Sequence, residues 1–121
     1  MKYGLLAIIF AVILISCGSG GEEKNAVKDG LESNPIYQKG MMLTERFQCM
    51  SCHKVDEKLS GPAYTEVARK YAGAGEATIN KLAKKIIEGG SGVWGETMMT
   101  SHQNVTVVEA KEMVQYILML K

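Results

Sequence analysis

Strong charge of either sign is missing from this 121-residue chain: fourteen lysines and arginines stand against thirteen aspartates and glutamates. Phosphate binding needs a net basic face, so nucleic acid is excluded as a partner. Period-two alternation of apolar and polar residues is absent over any useful length, which argues against sheet-based folds and for an all-α domain. Histidine occurs only twice, at His53 and His102. A four-ligand zinc site would therefore have to draw on Cys49, Cys52, His53 and His102, and adjacent Cys52 and His53 would reach one metal only with strain. Long hydrophobic runs are missing too. The stretch GLLAIIFAVILI is too short to span a bilayer comfortably.

That stretch has another use. A short n-region containing Lys2 precedes it, and Leu14-Ile15-Ser16-Cys17 closes it, with a small residue before the cut. The closing residues resemble the lipobox of bacterial lipoproteins, in which the cysteine becomes residue one and is acylated. Residues 1–16 are thus expected as a lipoprotein signal peptide and Cys17 as the lipidation site; an uncleaved N-terminal anchor is the alternative. Either exports the domain and tethers it to a membrane, facing the periplasm. Removal of residues 1–16 takes Lys2 with it, so thirteen basic residues balance thirteen acidic ones. Residues 17–33 are Gly/Ser-rich and charged, and read as a flexible tether. The folded domain is expected over residues 34–121.

Within it, Asn34-Pro35 reads as an N-cap with proline in the first turn. A helix follows through IYQKGMMLTERF to about Gln48, with Ile36, Met41 or Met42, Leu43 and Phe47 as its apolar stripe. Gly40 interrupts it at a cost of about 1 kcal/mol relative to alanine, which marks a close approach by something else. A second helix is expected over Ala63 to Tyr71, with Val67, Ala68 and Tyr71 inward. A third covers Glu76 to Glu88 and ends at Gly89-Gly90. Thr106-Val107-Val108-Glu109 reads as a capping box opening the last helix. Such a bundle of about four helices is a small core with long loops at 48–61 and 89–105, and a prosthetic group filling the middle accounts for both. Lys81, Lys84 and Lys85, with Lys54 and Lys58, read as solvated faces; an acidic docking partner is the other reading.

Cys49-Met50-Ser51-Cys52-His53 is C-x-x-C-H, a c-type haem attachment pattern. Two thiols one turn apart can add across the two vinyl groups of one haem, and the following histidine then lies under the macrocycle to bind iron. A thiol-redox C-x-x-C would expect a βαβ context, and a plain disulfide leaves the histidine unexplained. A ligating histidine needs a fixed acceptor for its second ring N–H. Pro62, with a carbonyl and no N–H, is the candidate.

Gly40, C-M-S-C-H, Gly61-Pro62-Ala63-Tyr64, the run KIIEGGSGVWG and the C-terminal amphipathic helix together resemble class I cytochromes c, over residues 34 to 121. The resemblance implies a helical cytochrome c fold around one covalently bound haem c with its iron, and an electron-carrier role. It also implies that Gly40 meets Tyr116 where the first and last helices cross. In that family the sixth iron ligand is a methionine five residues after the tryptophan, usually preceded by proline. From Trp94 that gives Met99; Met98 stands where the proline is expected, and His102 is the remaining rival. A neutral thioether favours ferrous iron and raises the potential. Trp94 is expected at the haem edge. The function expected is one-electron transfer with redox partner proteins (an oxidase, reductase or donor complex), without enzymatic activity. The alternative is a haem enzyme or gas sensor with a labile sixth site.

Overall fold

The computed structural model describes residues 30–120; the signal peptide, Cys17 and most of the expected tether lie outside them. Residues 30–32 are already helical, and the Gln38 amide donates to the Glu32 carbonyl at 3.0 Å. Helix α1, Pro35–Arg46, starts at Asn34, whose Oδ1 accepts the Ile36 and Tyr37 N–H groups at 2.9 and 3.4 Å. Two orphan donors of the first turn are satisfied in this way. A 3₁₀ turn at Cys49–Ser51 follows. Helix α2 is Tyr64–Lys70, shorter by one residue at each end than its sequence pattern suggests. Its N-cap, Ala63, has no side-chain acceptor, so the Glu66 carboxylate alone closes the end, accepting the Ala63 N–H at 2.9 Å.

Helix α3 is Glu76–Glu88, the span its three-and-four spacing predicts. Helix α4 is Val107–Met119, opened by the reciprocal Thr106/Glu109 capping box. α1, α2 and α3 all pack on α4. One core cluster joins Leu43, Ala83, Ile86, Val105, Ala110, Met113 and Val114; a second holds Tyr64, Tyr116 and Leu120. Gly40 sits at the α1–α4 crossing, where a Cβ would strike the Tyr116 Cβ and lie 2.6 Å from the Glu112 carbonyl oxygen. Ile36 is not on the buried stripe: it stands 42% exposed, and Met42 likewise faces outward. Ile36, the second residue of α1, sits at the rim of a surface groove shared with Gln115 and Leu118 of α4 and is only partly covered. Among the described residues no helix is long and apolar enough to cross a membrane.

The expected loop after α3 is partly a hairpin. Strands β1, Gly90–Gly92, and β2, Gly95–Met99, pair antiparallel around a two-residue turn at Val93-Trp94, with irregular register. Gly90, Gly92 and Gly95 adopt φ of 103°, 120° and 106°, values that side chains rarely take. The residues that hide these strands from a periodicity reading are those that permit them.

The Thr106/Glu109 box carries a pH signature. The Thr106 backbone N–H, then its hydroxyl, lower the Glu109 carboxyl below its ordinary value, with Arg46 and Lys39 adding attraction. A lowered folded value means the stabilisation is present above the unfolded carboxylate range and is lost as pH falls through the folded value. Glu109→Gln is expected to flatten the acid limb of a stability–pH curve while leaving it parallel to wild type above pH 6. An unchanged acid limb would show that the box contributes nothing to folding.

Candidate functional site

The proximal wall is built by the turn after α1. Gln48 takes a left-handed conformation (φ 56°), reversing the chain into the 3₁₀ turn. Backbone N–H groups of Cys52 and His53 both donate to the Cys49 carbonyl, at 3.2 and 3.1 Å. Cys49 is half-buried and Cys52 exposed, and both are free thiols. Burial pushes the Cys49 thiol up, whereas the Ser60 and then the Ser51 side chain pull Cys52 down. Cys52 is therefore the readier nucleophile.

The segment Gly61-Pro62 folds back over this turn. Gly61 N–H donates to the Cys52 carbonyl at 2.8 Å, and Tyr64 N–H to the Lys54 carbonyl at 2.9 Å. His53 Nδ1 lies 2.7 Å from the Pro62 carbonyl oxygen. A carbonyl only accepts, so Nδ1 must carry the proton. In the neutral tautomer this selects, Nε2 carries the lone pair that a metal-ligating imidazole requires. Gly61 cradles the ring: a Cβ there would strike Cε1 and lie 2.7 Å from Nδ1 and 2.8 Å from Nε2. The Tyr64 ring stacks on His53, centroids 5.5 Å apart at 21°.

The opposite wall is the hairpin. Neighbours on a strand point to opposite faces, and the two methionines divide accordingly. Met98 is 68% exposed, while Met99 is half-buried against the main core cluster. Trp94 lies in the hairpin turn with Lys70 Nζ 5.4 Å from its ring centroid. His102 is anchored through its backbone N–H to the Ile86 and Ile87 carbonyls, at 3.2 and 3.1 Å.

Between the walls is a cavity of about 410 Å³, floored by Met113, Val114 and Ile117 of α4. Cys49, Cys52, His53, Pro62, Trp94, Met98, Met99 and His102 all contribute to its lining; Cys17 lies outside the described residues. Lys58, Lys81 and Lys85 are also among its lining residues. Among the described residues no group of three or more His, Cys, Asp and Glu side chains could hold a bare metal ion, so a zinc site finds no donor set. A covalently held haem fits what is here: a largely apolar cleft, two thiols on one turn, and an imidazole with a free Nε2. The buried Tyr64 hydroxyl, which has no hydrogen-bond partner in the protein, adds an unfilled polar position at the same place. Sequence reasoning assigned no role to Tyr64 and did not see the cradle at Gly61. The only signal was that both belong to the run Gly61-Pro62-Ala63-Tyr64.

Comparison with known proteins points the same way. The protein-family model described as Cytochrome c matches residues 33–121. Cytochrome c-552 of Hydrogenobacter thermophilus is 51% identical over 79 residues, 65% of this chain and 79% of the relative. Cytochrome c-551 of Pseudomonas aeruginosa is 31% identical over 119 residues, 98% of this chain and 97% of the relative. The crystal structure of Nitrosomonas europaea cytochrome c552 superposes with a TM-score of 0.62 at 41% identity, covering 67% of this chain and 99% of that one.

Proposed function

The chain belongs to the cytochrome c family, and on that premise we propose that it is a one-electron carrier with His53 and Met99 as the axial ligands of its haem. The family's haem c is bound covalently, and Cys49 and Cys52 of C-x-x-C-H are the thiols that hold it. Bound there, the group supplies an iron that passes between ferrous and ferric states. The observation that carries the reading is the pairing across one cavity of a half-buried thioether, Met99, with an imidazole whose Nδ1 is committed to Pro62.

The chain's own residues do the rest. Pro62 and Gly61 hold the His53 ring in one orientation, so ligand geometry need not change with oxidation state. The apolar floor excludes water and keeps the thioether in a low-dielectric setting, which favours the ferrous form. Trp94 and Met98 border the exposed side, where a partner protein would approach in a small, transient encounter. No acid–base or nucleophilic step is assigned to these side chains. Residues 1–16 would direct export and Cys17 would take the lipid, placing the domain on a membrane facing the periplasm. A Cys17→Ser variant recovered in the soluble fraction, with wild type in the membrane, would support that anchor; identical fractionation would remove it.

The ligand assignment is tested by the optical spectrum of the oxidised protein. Met99→Ala is expected to lose the sulfur-to-iron charge-transfer band and lower the midpoint potential by on the order of 0.1 V, within the range of about 0.8 V that axial ligands command. Met98→Ala is expected to keep both. Survival of the band in Met99→Ala would sink the assignment. A wild type lacking the band and binding carbon monoxide readily would instead favour an enzyme or gas sensor.

A further inference from the structure

Tyr64 is buried near the cysteines, 2% exposed, and its hydroxyl has no hydrogen-bond partner in the protein. Leaving a buried hydroxyl unpaired is costly, so its survival needs a reason. Its place is not accidental. The Tyr64 N–H to Lys54 and the Thr65 N–H to Val55, at 2.9 and 3.0 Å, stitch the start of α2 to the residues just after the C-x-x-C-H turn. The ring is held from behind by Tyr116, centroids 6.3 Å apart at 84°, and faces His53 at 5.5 Å and 21°. Cys49, the half-buried member of the cysteine pair, packs against this Tyr64–Tyr116 cluster, with its sulfur beside the Tyr64 hydroxyl.

A free thiol is an ambiguous partner for a phenol, since either group can donate its proton to the other. A thioether has none and can only accept. Covalent attachment at Cys49 would remove the competing S–H and leave this sulfur solely an acceptor for the Tyr64 O–H. We propose that Tyr64 is a positioning residue of the haem site: its ring clamps His53, and its hydroxyl donates to the Cys49 sulfur once that sulfur is a thioether. The inference rests on the haem-attachment reading above. A donor on that sulfur draws electron density from the group's edge and favours the reduced state, as hydrogen bonds to ligating sulfur do elsewhere.

The test is a redox titration of purified holoprotein, with covalent haem content measured under denaturing conditions. Tyr64→Phe keeps the ring and removes only the hydroxyl. It is expected to attach haem fully and to shift the oxidised-to-reduced ratio about threefold toward oxidised, a fall of about 28 mV at 59 mV per tenfold for one electron. Tyr116→Phe, which removes the hydroxyl of a neighbouring buried tyrosine, is the control and is expected to leave the midpoint unchanged. Tyr64→Leu removes the clamp as well and is expected to change the His53 ring proton shifts, which Tyr64→Phe preserves. An unmoved midpoint in Tyr64→Phe, or an equal fall in Tyr116→Phe, overturns the hydroxyl's role. Unmoved His53 shifts in Tyr64→Leu overturn the clamp. Absence of covalent haem from wild type overturns the attachment reading itself, a separate outcome.

Discussion

Gly61→Ala is expected to yield a protein with a disturbed His53 environment, a changed visible spectrum and a stability loss of about 2–4 kcal/mol. Gly61 is absent from the residues with left-handed backbone, so alanine meets no conformational penalty. The obstacle is space. The new methyl would enter the imidazole ring, contacting Cε1, Nδ1 and Nε2 together. A side-chain tip can often swing aside, but this one cannot do so freely. Its Nδ1 is bonded to Pro62 at 2.7 Å and its face is covered by Tyr64. Moving the ring gives up a hydrogen bond worth about 1 kcal/mol and forces overpacking costing about 1–3 kcal/mol.

Because the ring is the proposed iron ligand, the damage should appear in the ligand-sensitive bands before it appears in helix content. Spectra of Gly61→Ala at 10 °C, where the fold persists, check this. A variant with wild-type bands and midpoint would mean that the ring relaxes without cost and that Gly61 is a turn residue only.

The helices were largely legible because their determinants are local. Asn34, Thr106 and Glu109 announce helix starts through side chain to backbone bonds spanning two or three residues. The spacing of Ile79, Leu82, Ala83, Ile86 and Ile87 depends only on the helical period. The hairpin was illegible for the opposite reason. Residues Gly95 to Thr97 and Met98 are all exposed to solvent or cavity, so no alternation against a protein core was ever imposed on them.

The same hairpin separates the two methionines. Sequence spacing alone could prefer Met99 only through a family register, whereas strand geometry turns the pair to opposite faces, one packed and one 68% exposed. Ile36 shows the limit of periodicity: it fits the stripe of α1 yet sits at the rim of a groove beside Gln115 and Leu118 of α4, 42% exposed. Tyr64 was hidden differently. An aromatic at the start of a helix looks like ordinary core until its hydroxyl is found buried without a partner.

Gly40→Ala is expected to differ from Gly61→Ala in its spectrum, losing stability to a comparable degree with the visible bands retained. Alanine should favour the helix by about 1 kcal/mol. Here the methyl would meet the Tyr116 Cβ and the Glu112 carbonyl oxygen at 2.6 Å, with Tyr116 Cγ at 3.1 Å. Two of those atoms are α4 backbone or fixed directly to it, so no rotamer change relieves the contact and the helices must separate. Overpacking of that kind lies near the upper end of its usual range, about 3 kcal/mol, leaving a net loss of about 2 kcal/mol. For a domain of this size that lowers the melting temperature by on the order of 10 °C. Gly75→Ala makes the same chemical change at a position with nothing within 4 Å and is expected to be nearly neutral. The midpoint potential of Gly40→Ala should stay at the wild-type value, because a Cβ at Gly40 would meet only α4 atoms and neither His53 nor Met99. A Gly40→Ala protein as stable as Gly75→Ala would show that α1 and α4 can part at no cost. A shifted midpoint would show instead that strain at the crossing travels through Tyr116 and Tyr64 to the His53 ring.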